Sequence, residues 1–307
     1  MKIFCLVGPT GVGKTDIAIA LAKKYNFDII SADSRQIYKY MDIGTAKPNE
    51  TFFQDSTVRI RIHMLDIVTP DVLYSAADFV RDCKKIIYQL IKEEKKFILV
   101  GGSGLYLKAL FEPFFPAPAR DLQLRKSLNQ QPLEKLYEQL KLVDPLSANR
   151  IKPNDRQRII RALEIYYQTR KPLSAQQSIK LSSEFVPYYV GLIMERKKLY
   201  AKIEARFDKM IEMGLVEEVK KILQMGYNAE HNALSGIGYQ EIISFLKNEI
   251  SLMEAIKLAK IRTRQYAKRQ ITWFRKIKNI KWIEYTTFDE TVFKVGQEYE
   301  NYLKTLI

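Results

Sequence analysis

Gly8-Pro9-Thr10-Gly11-Val12-Gly13-Lys14-Thr15 is the stretch that decides the fold. It fits the pattern G-x-x-x-x-G-K-[ST], a phosphate-binding loop. Ile3-Phe4-Cys5-Leu6-Val7 precedes it, a short apolar run suited to a buried parallel strand. Asp16 to Lys24 follows, with helix-forming content and a basic end. Strand, glycine loop and helix are the context the motif requires. Gly8, Gly11 and Gly13 let the backbone turn tightly, so that N–H groups of the loop point at phosphate oxygens and the helix N-terminus adds its dipole. Lys14 can reach a bridging or terminal phosphate oxygen, and the Thr15 hydroxyl can hold Mg²⁺. A nucleotide such as ATP is the default occupant, but a bare diphosphate ester suits the same cradle.

Outward from the loop, the βαβ rhythm continues. Asp28–Ala32 reads as a second strand ending at Asp33, which the rules of open α/β sheets place beside the phosphate loop. Met41–Pro48 reads as a structured loop and Arg59–Asp66 as a short alternating strand. Ser75 caps a helix running to about Glu94. Phe97–Val100 is a further buried strand, and Gly101-Gly102-Ser103-Gly104 a second glycine turn into a helix. Pro113, Pro116 and Pro118 mark a boundary. Beyond them the chain is helical and basic until a strand returns at Tyr188–Met194. Helices are expected over Lys197–Met213 and Leu215–Met225, stopped by Gly214 and Gly226, and over Ser251–Lys276. The fold class is α/β, a P-loop NTPase-like parallel sheet core with an inserted helical domain. The expected parts are residues 1–115, a helical insertion over 116–187, and 188–307, which completes the core and adds basic C-terminal helices.

The chain of 307 residues carries 50 Lys and Arg against 35 Asp and Glu, a formal charge of +15, which points to a polyanionic partner with nucleic acid first. Lys257, Arg264, Lys268 and Arg275 recur at intervals of 7, 4 and 7 and form one stripe on the long helix. Two cysteines without a C-x-x-C pair argue against a zinc site, and two distant histidines against a histidine-ligated metal. No apolar run is long enough to span a bilayer, so a cytoplasmic protein, monomeric and without a membrane partner, is expected. Asp33 beside a bound phosphate ester can act as metal ligand or general base. Composition alone makes Arg206 a surface residue.

Several longer strings now join the loop: Ser31–Tyr38, Met41–Pro48, Tyr74–Phe79, Val100–Tyr106, Asn154–Arg158, Gly236–Tyr239 and Thr263–Trp273. Together, in this order and over nearly the whole chain, they resemble the tRNA dimethylallyltransferase (tRNA isopentenyltransferase) family. One departure is Ser103, where the family usually has threonine; the hydroxyl is kept. The resemblance implies transfer of a dimethylallyl group from dimethylallyl diphosphate to N6 of adenine 37 in the tRNA anticodon stem-loop, releasing pyrophosphate. It implies Asp33 as the base. It gives Thr10, Lys14, Thr15 with Mg²⁺, and Arg206 as neutralisers of the leaving group. By resemblance, tRNA should lie against Asp33, Ser34, Arg35, Gln36, Ser103, Arg125, Gln157, Arg158, Ile159, Ile160 and Arg161. The same holds for Ser235, Gly236, Ile237, Gly238, Tyr239, Gln240, Thr263, Arg264, Gln265, Lys268, Arg269 and Gln270. The rival reading is a P-loop kinase for a nucleoside or small metabolite; a non-catalytic RNA-binding protein is a third.

Overall fold

The computed structural model describes residues 1–48, 60–112, 117–177 and 183–306. Two compact units emerge, Met1–Phe111 with Glu184–Ile307, and Glu112–Ser183.

The first unit is built on a six-stranded sheet: β1 (Lys2–Val7), β2 (Asp28–Ala32), β3 (Ile62–His63), β4 (Phe97–Gly101), β5 (Val186–Ile193) and β6 (Lys281–Glu284). The spatial order is β3-β2-β4-β1-β5-β6, and every pairing is parallel. Strand β1 is central. Its alternation sends Ile3, Cys5 and Val7 into one apolar cluster and Phe4 and Leu6 into another, so both faces are covered, as a parallel sheet requires. On the Phe4 side lie α1 (Lys14–Tyr25) and the C-terminal helix, whose Val295, Tyr299 and Tyr302 join Ile17 and Leu21. On the other side lie α2 (Ala76–Lys92) and α3 (Gly104–Phe111), with Phe79 stacked on Tyr106 at 4.3 Å between ring centres. Ser75 caps α2 through a reciprocal box with Asp78.

The second unit is all-helical: α4 (Leu122–Asn129), α5 (Leu133–Val143), α6 (Pro145–Arg150), α7 (Arg156–Thr169) and α8 (Leu173–Gln177). Its small core gathers Leu128, Leu136, Leu140, Ile159, Ile160 and Leu163. The first unit resumes with β5, then α9 (Arg196–Glu212), α10 (Leu215–Gln224), a 3₁₀ turn at Asn232–Ser235, α11 (Tyr239–Leu246), α12 (Leu252–Phe274), β6 and α13 (Phe288–Lys304).

Two expectations change, and one falls partly outside the described residues. The alternating strand over Arg59–Asp66 shrinks to Ile62–His63: Arg59 lies outside the described residues, and the chain leaves the sheet at Met64, where φ is +68°. Pro113 and Pro116 also lie outside the described residues. The last helix is not basic: Asp289, Glu290, Glu298 and Glu300 outnumber Lys294 and Lys304.

Candidate active site

The parallel sheet puts the ends of β1, β2 and β4 at one edge, and each is followed by a motif of interest. After β1 comes the phosphate loop. Gly13 caps α1 with φ +98°, a conformation that favours glycine, and leaves α1 to begin at Lys14. Gly11 has φ +82°, and a Cβ there would meet Ile203 of α9 at 2.8 Å, so helix α9 lies directly against the loop. That closeness brings Arg206, one turn on from Ile203, to the loop: its Nη2 donates to Thr10 Oγ1 at 2.8 Å. The composition-based surface reading of Arg206 is therefore replaced by a half-buried cation facing Thr10.

Lys14 Nζ donates to Pro9 O at 2.8 Å and folds back over the loop. Burial pushes its ammonium down; the carboxylate of Asp33 opposes this and the Arg206 guanidinium adds to it, leaving a value of about 8. Arg206 is likewise lowered, by burial first, against the attraction of Asp33 and Asp16. Lys14, Arg206 and Asp33 thus feel one another's charges. After β2, Asp33 Oδ1 accepts from the backbone N–H of Arg35 at 2.8 Å and of Gln36 at 3.3 Å, while Oδ2 has no hydrogen-bond partner among the described residues. An Asx turn of this kind fixes one oxygen and leaves the other to work.

After β4, the second glycine turn docks on the Asp33 segment. Ser103 Oγ accepts from Ser34 N at 3.0 Å, and Ser103 N donates to Ala32 O at 3.2 Å. Tyr266 of α12 hydrogen-bonds Ser103. Burial pushes its phenol up to about 12, with the Asp33 charge adding to the rise. Tyr106 is raised by burial, by Tyr38 and by Asp33. The two tyrosines are members of the site that residue-by-residue reading left out; their only sequence signal is that each lies inside a matched string.

The residues expected at tRNA divide by what their side chains do. Gln240, Gln265, Lys268 and Arg269 are exposed. Gln265, Lys268 and Arg269 line a cleft of about 440 Å³ with Thr272, Trp273 and Lys276, a basic groove with one indole in it. In the second unit Gln157 and Arg158 are exposed. Others are engaged within the protein. Gln36 Nε2 donates to Thr45 O and Ala46 O. Arg35 Nη1 donates to Asn232 O at 2.6 Å and Ala233 O at 3.1 Å, and its Nη2 to Ser235 Oγ at 3.4 Å, which ties the Asp33 segment to the 3₁₀ turn before Gly236, Ile237 and Gly238. Tyr239 is buried and donates to Glu218 Oε1, the carboxylate that also receives Asp42 N, Ile43 N and Gly44 N. Ile159 and Ile160 belong to the second unit's core. Arg125 and Arg161 converge on the fully buried Glu164, at 2.9 and 2.6 Å. Burial pushes Glu164 up, but hydrogen bonds from both arginines and from Asp121 N outweigh it and hold the carboxyl below its usual range.

On α12 the four-residue stripe is uneven. Lys257, Lys268 and Arg275 are exposed. Arg264 is half-buried, pairs with Glu204 at 2.5 Å and lies over Tyr200. Thr263 donates to Ala259 O at 2.8 Å. Gln270, on the buried edge with Ala255, Ala259, Ala267 and Phe274, spans the phosphate loop and the second glycine turn. Among the described residues no cluster of three His, Cys, Asp or Glu could hold a metal ion, and no helix is long and apolar enough to cross a membrane.

Comparison with known proteins agrees with this geometry. Residues 36–277 match the family model described as IPP transferase. The chain is 44% identical to the tRNA dimethylallyltransferase of Alkaliphilus oremlandii, over 94% of this chain and 93% of that protein. It is 44% identical to that of Acetivibrio thermocellus over 99% and 98%. Among solved structures, the full-length tRNA isopentenylpyrophosphate transferase of Bacillus halodurans aligns with a TM-score of 0.74 at 35% identity, covering 99% of this chain and 97% of that one. A eukaryotic dimethylallyltransferase solved acting on tRNA aligns with a TM-score of 0.75 at 29% identity, over 92% of this chain and 73% of that chain. The chain belongs to the IPP transferase family, whose named relatives are tRNA dimethylallyltransferases.

Proposed function

We propose that this protein transfers a dimethylallyl group from dimethylallyl diphosphate to N6 of adenine 37 of tRNA, beside the anticodon. The observation that carries the reading is the convergence of Lys14, the Thr10–Arg206 pair and the Asp33 carboxylate at one edge of the sheet. N6 attacks the terminal allylic carbon, and the bond from that carbon to the diphosphate oxygen breaks. The proton on N6 passes to Asp33. Lys14 and Arg206 meet the charge that grows on the departing pyrophosphate, and backbone N–H groups of the loop hold it from below. The products are N6-(dimethylallyl)adenosine and pyrophosphate.

Mg²⁺ fits this donor set only if the substrate supplies most of its oxygens. The Thr15 hydroxyl would hold it together with diphosphate oxygens and water, an arrangement magnesium tolerates. When bound, the ion would neutralise part of the diphosphate charge.

A stacked adenine could not reach Asp33, so the base is flipped out of the anticodon loop. The exposed Gln265, Lys268 and Arg269 beside Trp273 suit a single-stranded RNA segment, with cations for its backbone and an indole for a base. We further read the protein as a cytoplasmic monomer. The kinase alternative shares the phosphate loop but gives no account of the strings from Gly236 to Trp273. Stoichiometry tests the choice: one pyrophosphate released per tRNA modified, with no ATP consumed, supports prenyl transfer, and ATP-dependent turnover without tRNA contradicts it.

A further inference from the structure

Backbone N–H groups are what a phosphate loop offers an anion, yet one of them is already taken. Thr10 N donates to Gln270 Oε1 at 2.8 Å, and Gln270 Nε2 donates to Gly102 O at 2.9 Å. The network dictates this amide orientation, because an N–H can only donate and a carbonyl can only accept. Gln270 is 7% exposed and sits on the inner edge of α12. It is a strut of fixed length between two loops that hold different reacting partners. At one end Thr10 also receives Arg206, so the leaving-group cation is set through the same residue. At the other end Gly102 precedes Ser103, whose Oγ holds Ser34 N, next to Asp33. The space is close-fitted: a Cβ on Gly102 would collide with Gln270 Nε2.

We propose that Gln270 is a positioning residue that sets the spacing between the diphosphate loop and the Asp33 segment. The inference rests on the prenyl-transfer reading and adds to it a role for a residue that meets neither reacting atom. The resemblance places Gln270 against tRNA, but both its polar ends are used within the protein, away from the exposed basic residues of the same helix, so its loss should spare tRNA binding.

The test uses two variants that attack the strut from opposite sides. Gln270→Met keeps side-chain length and removes both polar ends. Gly102→Ala keeps every polar group and displaces the amide. Each should lower the single-turnover rate at saturating substrates by about 10²-fold, the scale of a misplacement near 1 Å. The tRNA dissociation constant, measured separately, should stay within about threefold of wild type, inside the non-additivity scatter of a remote site. The Gly102 Cβ meets Gln270 Nε2 well before anything else, with Gly8 O next at 3.2 Å, so both variants act chiefly through the strut and the double variant should lose little more than the worse of the two. A folded Gln270→Met protein with lower Tm but wild-type rate would overturn the proposal, as would losses that multiply in the double variant. If Gln270→Met does not fold, Gly102→Ala decides alone: a wild-type rate in it refutes the strut. Wild-type protein that forms no prenylated tRNA in the same assay would instead sink the function on which the inference rests.

Discussion

Lys14 makes a pH dependence that can be worked from the structure. Its ammonium is lowered from 10.5 to about 8 by burial, with Asp33 opposing the shift and Arg206 adding to it. Without ligand, the lysine is about 90% charged at pH 7 and about 10% charged at pH 9, since each pKa unit is a factor of ten. A bound diphosphate favours the charged form, so its affinity is flat below pH 8 and falls toward tenfold per unit above it. The terminal phosphate of such an ester ionises near pH 6, as phosphate monoesters do, so above pH 7 the change belongs to the protein. Calorimetric titration of a non-reactive dimethylallyl diphosphate analogue from pH 7 to 9.5 measures the slope. Lys14→Arg, charged throughout, should bind more weakly at pH 7 but with a flat profile. Stability carries the opposite sign. Because the folded value lies below the unfolded one, the buried charge costs stability below pH 8, and the cost fades as pH rises from about 8 to 10.5. Ligand-free Lys14→Met should therefore melt higher than wild type at pH 7, with the gap closing toward pH 10. Identical affinity profiles for wild type and Lys14→Arg would refute the argument.

Three further outcomes follow from named contacts. Asp33→Asn keeps the hydrogen bonds from Arg35 N and Gln36 N but takes no proton; its single-turnover rate should drop about 10²–10⁴-fold with both substrates still bound, and a variant retaining most of the rate would show that Asp33 is not the base. Removing Lys257, Lys268 and Arg275 together should reduce the slope of log affinity for tRNA against log salt by about 2, at roughly 0.7 per lost contact to single-stranded RNA, whereas Arg264→Ala, which breaks the Glu204 pair, should act more on Tm than on that slope. Glu164→Ala should destabilise the helical unit by about 3 kcal/mol, the low end for a broken buried pair, because Arg125 and Arg161 can rehydrate; hydrogen exchange confined to α4–α8 would report it, and unchanged protection would contradict it.

The parts of the fold that were legible in the sequence are those with local causes. Strand β2 ran from Asp28 to Ala32 as read, because an apolar run bounded by turn residues has few alternatives. Helix α2 announced itself through its Ser75 cap, and the span read as Ser251–Lys276 is α12, Leu252–Phe274. What escaped reading depends on partners distant in the chain. Strand β6 is four residues long and is a strand because β5 pairs with it. The inner face of α13 is Thr291, Val295, Tyr299 and Tyr302, at helical spacing, with the buried Gly296 beside them, where a Cβ would lie 3.2 Å from the Tyr25 hydroxyl of α1. In the site, the phosphate loop and Asp33 were legible from motif and strand end. Arg206 was not legible from composition, since its burial comes from α9 lying against Gly11. Nor was the role of Gln270, whose two partners are 260 and 168 residues away.

The most direct measurement is a mass analysis of nucleosides from unmodified tRNA incubated with the protein, Mg²⁺ and dimethylallyl diphosphate. The account predicts one adenosine per tRNA heavier by a single dimethylallyl unit, attached at N6 and located next to the anticodon, with pyrophosphate released in equal amount. Unchanged nucleosides in the presence of properly folded protein, or a prenyl group on any atom other than an adenine N6, would contradict it.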